Sequence, residues 1–276
     1  MAFNGPTDDA FPWPSQEDKF TVSHLQKGFK ISARKLPISK SGPIDEMSKK
    51  LGIPVPEMIF GNNMVSIEHV ATRWRLEFNA FDALDQVDKT DKNMLKVAYS
   101  KEWSSSSREK THEGIKEVVK PFDWSYSTNY KGTIMNGKPF EDSEEPIPLE
   151  LLKRPDPILF FEEVLLYESE LDDNGISLFS CKLRVMPDRM LLLCRLFMRL
   201  DKVLVRIRDT RIYVDFNTGK VIREYTEKED EFDKVRKSLL SSGTLPNDIT
   251  IALRDPNQLA HLLPEVAHTT EALNLP

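Results

Sequence analysis

The residue types best able to do chemistry are concentrated in one short run, Arg206-Ile-Arg-Asp-Thr-Arg211, which packs three arginines around one aspartate. Arginine offers its donors as a rigid planar fork, so such a cluster suits recognition of a carboxylate or an acidic peptide through bidentate bonds. The same run also reads as a strand-to-strand turn, with Asp209 as the turn residue and the arginines solvated or paired within the sheet. Asp82, shortly after Phe78 and Asn79, is a second isolated carboxylate that could cap a helix, pair with an arginine or reach a partner. Glu162 and Glu163 are adjacent, so on a strand they face opposite sides and cannot act as an acid pair. Phe122, Trp124, Tyr126, Thr128 and Tyr130 alternate with Asp123, Ser125, Ser127 and Asn129, which predicts a two-faced strand. Its aromatic face is either core or a set of interface anchors, and no basic stripe accompanies it to favour nucleic-acid stacking.

The common catalytic signatures are absent. Glycine is scarce, at 11 residues, and none builds a phosphate-cradling loop of the Walker or dinucleotide type. There is no His-Glu-x-x-His, no Cys-x-x-Cys and no Gly-x-Ser-x-Gly elbow. His24, His69, His112, His261 and His268 are scattered without metal-ligand spacing. An enzyme would need a site assembled by convergence, for instance from Asp82, Asp123, Glu163 and an arginine. The chain is therefore expected to be non-enzymatic, with no metal and no cofactor.

Thirty-eight Lys and Arg against 44 Asp and Glu give a net charge of -6, a field that favours neither nucleic acid nor anionic lipid. Cys181 and Cys194, the only cysteines, sit inside apolar runs and read as buried thiols in a reducing compartment, a disulfide between them being the alternative. The N-terminus, MAFNGPTDDAFPWP, lacks the basic region and apolar core of a signal peptide. The longest apolar stretch, Met190 to Leu200, is interrupted by Arg195 and Arg199 and is too short to span a bilayer. These features predict a soluble intracellular protein, cytoplasmic with the nucleus left open, that binds neither nucleic acid nor membrane.

The elements that must position these residues follow from periodicity. Residues 1–20 read as a flexible arm and 21–276 as a single α+β domain, of which 227–276 is a helical C-terminal segment. A helix is expected from Ile44 to Leu51, with Pro43 near its start and Gly52 ending it. Strands are expected at Met64–His69, Arg73–Phe78 and Asn93–Tyr99, a helical turn at Asn79–Leu84, and exposed loop at Ser104–Ser107 and from Asn136 to Pro148. The second half reads as a meander: Leu159–Leu171, an Asn-Gly turn ending at Gly175, Ile176–Met186, Met190–Leu200, Val203–Ile207, Arg211–Phe216 and Val221–Tyr225. Thr226 and Glu229 form a capping-box pattern for a helix running to about Leu240. The fold class is thus α+β, a largely antiparallel sheet with several helices packed against it.

Several of these segments, in order, resemble one family. They are Pro56-Glu-Met-Ile-Phe-Gly61, Glu77-Phe-Asn-Ala-Phe-Asp-Ala-Leu84, Met94-Leu-Lys-Val-Ala98, Lys120-Pro-Phe-Asp-Trp-Ser-Tyr126 and Tyr130-Lys-Gly-Thr133, then Phe160-Phe-Glu-Glu-Val-Leu-Leu166, Arg184-Val-Met-Pro187, Arg208-Asp-Thr-Arg211 and Arg223-Glu-Tyr225. The set resembles the TOR signalling pathway regulator-like (TIPRL) family. The resemblance implies a non-enzymatic regulator that binds the catalytic subunits of protein phosphatases 2A, 4 and 6. It implies that the regulator modulates, and in some contexts inhibits, their activity in TOR signalling. It also implies association with the alpha-four type phosphatase-associated protein. The phosphatase contacts of the family correspond to Asp82, Ile147, Ile207 and Asp209, with Ile207 at a position where a related protein carries methionine. Asp82→Ala combined with Asp209→Ala is then expected to abolish phosphatase binding and leave the thermal melt nearly unchanged. The competing readings are a scaffold that touches only the associated protein and an enzyme with an unrecognised site.

Overall fold

The protein, seen here as a computed structural model, is described over residues 18–89 and 122–276. Most of the arm, and the expected Asn93–Tyr99 strand and Ser104–Ser107 loop, lie outside these residues. Strands β1 (Thr21–Gln26) and β2 (Phe29–Arg34) are joined through Lys27 and Gly28, both at positive φ as a two-residue hairpin turn requires. Helix α1 (Ser41–Leu51) begins three residues before the expected start and ends, as expected, at Gly52 with φ 72°. Strands β3 (Met58–Ile59), β4 (Met64–His69) and β5 (Trp74–Asn79) lead into helix α2 (Ala80–Asp85). Then come β6 (Thr133–Asn136), β7 (Glu141–Asp142) and α3 (Leu149–Lys153).

A run of long strands follows: β8 (Phe160–Ser169), β9 (Gly175–Val185), β10 (Arg189–Leu200), β11 (Leu204–Asp215) and β12 (Lys220–Glu231). Helices α4 (Phe232–Ser241), α5 (Ile249–Ala252) and α6 (Pro256–Leu259) precede a last strand, β13 (Glu265–Asn274). The strands build two sheets, ordered β1-β2-β4-β5-β6 and β3-β8-β9-β10-β11-β12-β13-β7, in which every pairing is antiparallel. The α+β class is as the sequence indicates.

The largest core lies between the sheets, where Phe29, Ile31, Leu76 and Phe78 of the first meet Val164, Leu183, Leu192 and Ile212 of the second. The far face of the second sheet carries two smaller clusters. One holds Phe197, Val205 and Ile207 beneath α4 to α6, and the other holds Tyr213 and Ile222 beside Ile147 and α3.

Four local expectations are corrected. Phe122–Tyr130 is not a strand: the segment is irregular, and every residue but Asn129 is buried, so there is no solvent face for an alternation to describe. Asp123 accepts from the Ser125 amide at 3.0 Å and its hydroxyl at 2.6 Å, local bonds that compete with a ladder. Second, Arg206–Arg211 is no turn but the middle of β11, whose twelve residues pair without interruption with both β10 and β12. Third, Thr226 and Glu229 do not cap a helix. They extend β12 opposite Asp209 and Arg206, and α4 starts only at Phe232, so cross-strand pairing outweighs local capping. Accordingly 227–276 is not wholly helical, since it begins in β12 and ends in β13.

The fourth is the turn before β9, where the left-handed residues are Leu171, Asp172 and Asp173 rather than the Asn-Gly pair. Gly175 serves close packing instead, because a Cβ there would lie 1.9 Å from the Arg199 carbonyl oxygen.

Candidate functional site

Because β11 has period 2, Arg206 and Arg208 point to one face of the second sheet, and Asp209 and Arg211 to the other. Arg206, Arg208 and Thr210 look toward the first sheet, with Ile212 continuing the same face into the main core. Each arginine meets the acid directly across on β12: Arg206 Nε lies 2.6 Å from Glu229, and Arg208 Nη2 lies 2.7 Å from Glu227. Arg206 Nη1 also donates to Ser127 Oγ at 2.9 Å. Arg208 Nε is buried and has no acceptor among the described residues.

This ladder forms one wall of an open cleft of about 570 Å³, completed by Gln86 and Asp88 after α2 and by Asp123, Ser127 and Asn129. The Asp123 amide donates to the Asp88 carbonyl at 2.7 Å, which fixes the two strips of the far wall together. Burial pushes the Asp123 carboxyl above its ordinary range. The Ser125 hydrogen bonds and the nearby Arg206 and Arg208 charges oppose that shift without cancelling it. The cleft is therefore polar and of mixed sign, able to bind a segment that offers both donors and acceptors.

On the opposite face of β11, Asp209 is 3% exposed. Arg195 of β10 grips it at 2.7 and 2.8 Å, and Arg211 Nη2 adds a third donor at 2.9 Å. Arg211 in turn reaches Glu224 at 2.9 Å. This polar strip separates the two outer apolar clusters, and the remaining candidates lie within them. Ile207 is 1% exposed against Phe197 and the C-terminal helices, and Ile147 is 4% exposed against Tyr213 and Ile222.

Asp82 stands apart, at the first turn of α2. The Asn79 side chain caps that helix by accepting from the Asp82 amide at 2.8 Å, as its residue type favours. Asp82 Oδ2 then accepts from Asn79 Nδ2 at 3.0 Å and Thr133 Oγ1 at 2.5 Å. Thus Ile147, Ile207 and Asp209 share one face of the second sheet and are buried there, whereas the half-buried Asp82 sits on α2, the helix that follows β5 of the first sheet and leads to Gln86 of the cleft.

Glu162 and Glu163 pair separately with Lys35 and Lys182. His24 stacks on Phe160, His69 bonds Thr72 and His268 lies beside Glu265, so these histidines do not converge. Among the described residues no three His, Cys, Asp or Glu side chains are grouped to hold a metal ion, and no helix is long and apolar enough to cross a membrane. Cys181 and Cys194 stand directly opposite on β9 and β10 as free, buried thiols.

Sequence reasoning missed Gln86, Asp88, Glu227 and Thr133. One signal was available, because Glu227 and Glu229 repeat at the two-residue spacing of Arg206 and Arg208 with opposite sign, the mark of a cross-strand ladder.

The chain matches the TIP41-like family over residues 58–236, from β3 into α4. It is 41% identical over 260 residues to the type 2A phosphatase activator TIP41 of Saccharomyces cerevisiae, covering 88% of this chain and 72% of that protein. It is 42% identical over 239 residues to the TIP41-like protein of Homo sapiens, with 84% and 86% covered. With the type 2A phosphatase activator tip41 of Schizosaccharomyces pombe it shares 36% identity over 261 residues, 94% and 99% of the two chains. On this shared sequence, spanning both sheets and the cleft between them, the chain belongs to the TIP41-like family.

Proposed function

We propose that this protein is a non-catalytic regulator that binds the catalytic subunit of type 2A-group protein phosphatases, 2A, 4 and 6, and modulates their activity in TOR signalling. The observation that carries the reading is family membership, with two relatives, matched over 88% and 94% of this chain, named as type 2A phosphatase activators. The arginine–carboxylate ladder and the polar cleft supply the kind of oriented charge that recognises a protein surface.

In this reading Asp82 offers a half-exposed carboxylate to the phosphatase, while Ile147, Ile207 and Asp209 act from beneath the surface. The two isoleucines shape the outer clusters, and Asp209 sets the Arg195 and Arg211 forks. Association with the alpha-four type phosphatase-associated protein belongs to the same proposal. A cytoplasmic location, extending to the nucleus, is supported by two cysteines that face each other yet remain free.

The sign of the effect is open to a direct assay, since the relatives' names say activator and the family resemblance implies inhibition. Purified chain is titrated into a type 2A catalytic subunit and phosphopeptide turnover is followed. Saturable change of turnover in either direction supports the reading and gives the sign, whereas unchanged turnover and no complex at the highest concentration refute it.

A further inference from the structure

We infer that Tyr130 and Thr133 are positioning residues for the Asp82 carboxylate, their hydroxyls forming a proton-ordered chain that fixes one carboxylate oxygen and leaves the other for a cationic donor of the partner. The inference rests on the reading of Asp82 as a phosphatase contact.

The geometry is specific. Both donors to the Asp82 carboxylate, Asn79 Nδ2 and Thr133 Oγ1, land on Oδ2. Oδ1 has no hydrogen-bond donor among the described residues. Thr133 Oγ1 lies 2.8 Å from the Tyr130 hydroxyl, which also lies 2.9 Å from the Glu77 carbonyl. A carboxylate only accepts, so the single Thr133 proton points to Asp82. Thr133 Oγ1 is then left only as an acceptor toward the Tyr130 hydroxyl, whose single proton is shared between Thr133 Oγ1 and the Glu77 carbonyl. The order of protons, Tyr130 to Thr133 to Asp82, is set by the charge on Asp82. In return it holds the carboxylate plane.

Tyr130 is well placed to anchor such a chain. It is 2% exposed between the sheets, its ring edge-on to Phe78 at 5.9 Å and tilted against Phe179 at 6.3 Å. Burial pushes its hydroxyl far above the usual phenol range, so it remains a proton donor. Its backbone carbonyl accepts from Thr210 Oγ1 at 3.3 Å, the residue after Asp209. One residue therefore links the Asp82 carboxylate on α2 to the strand of the second sheet that carries Asp209.

The test is a binding titration against a purified type 2A catalytic subunit, with each variant's melt recorded. Tyr130→Phe keeps the ring packing, Thr133→Val keeps the shape at β6, and Thr133→Ser restores a hydroxyl. Tyr130→Phe and Thr133→Val are each expected to weaken binding roughly fivefold, the scale of one hydrogen bond. Thr133→Ser is expected to bind as wild type, and Tyr130→Phe is expected to add nothing in an Asp82→Ala background.

Losses that stay additive in that background would show that the hydroxyls act through general stability, and the inference would fail. It fails too if Asp82→Ala weakens binding while Tyr130→Phe and Thr133→Val remain within about twofold of wild type. If Asp82→Ala itself binds normally, the reading of Asp82 as a contact falls, and this inference falls with it. Thr133→Val carries the same test should Tyr130→Phe lose its fold.

Discussion

Arg195 of β10 and Asp209 of β11 stand directly across from each other and are joined by two parallel bonds of 2.7 and 2.8 Å, with the Asp209 side chain only 4% exposed. A carboxylate so enclosed cannot be exchanged for a methyl group without leaving two guanidinium groups, Arg195 and Arg211, facing an empty site. Asp209→Ala is therefore expected to destabilise the fold by about 3–5 kcal/mol, the range for breaking one side of a buried charge pair. Urea unfolding measures this, and a midpoint equal to wild type contradicts it. The expectation that the Asp82→Ala, Asp209→Ala double variant melts like wild type is thereby revised. Loss of binding in that variant would report the damaged fold, so Asp82→Ala alone tests the contact.

Ile207 makes a companion case. It is 1% exposed within the cluster beneath α4 to α6, so Ile207→Ala is expected to cost about 2–5 kcal/mol through lost burial and a residual cavity. Ile207→Met, close in volume, is expected to cost less than about 1.5 kcal/mol. Thermal melts of the two variants should separate clearly, and equal midpoints would show that the site is not packed as described.

Asp123 gives a pH signature. Its folded carboxyl is raised above the ordinary value of 3.8, chiefly by burial, so the folded state holds a proton more tightly than the unfolded state. The stability from this group is complete below 3.8 and is lost as pH rises through the raised folded value. Asp123→Asn abolishes that loss while keeping an acceptor for Ser125. The melting temperature of the variant, relative to wild type, should rise as pH is taken from below 3.8 to neutrality. A difference that is flat with pH, or that falls, contradicts the assignment.

Much of this architecture is legible in the residues. Trp74, Leu76 and Phe78 alternate with arginine and glutamate in β5, and Asn79 before Ala80 announces the cap of α2, because each signal is local and one face is buried. The 122–130 segment misleads for the opposite reason. It alternates in type but is enclosed on both sides, so the pattern reflects Asp123–Ser125 bonding rather than a pleat. β11 reads as two strands because Asp209 and Thr210 are turn-formers. Only the partners across make them strand residues, Arg195 and Thr226 for Asp209, Cys194 and Tyr225 for Thr210. β13 is concealed by its own surface, since Glu265 to Thr269 are all exposed and resemble loop.

The candidate residues divide the same way. The resemblance names Asp82, Ile147, Ile207 and Asp209, but no local pattern reveals that three of them are enclosed. Enclosure comes from α3, the C-terminal helices and Arg195, elements remote in sequence.

The most direct test of the account is the affinity of the purified protein for a type 2A phosphatase catalytic subunit, measured side by side for wild type and Asp82→Ala. Asp82 is half-buried and its carboxylate is held by Asn79 and Thr133, so its loss should leave a desolvated partner cation unmatched. The account predicts a saturable complex with wild type, weakened about thirtyfold in Asp82→Ala, the low end of the ~2–5 kcal/mol for truncating a desolvated charge pair. Failure of the wild-type protein to bind any type 2A catalytic subunit would contradict it.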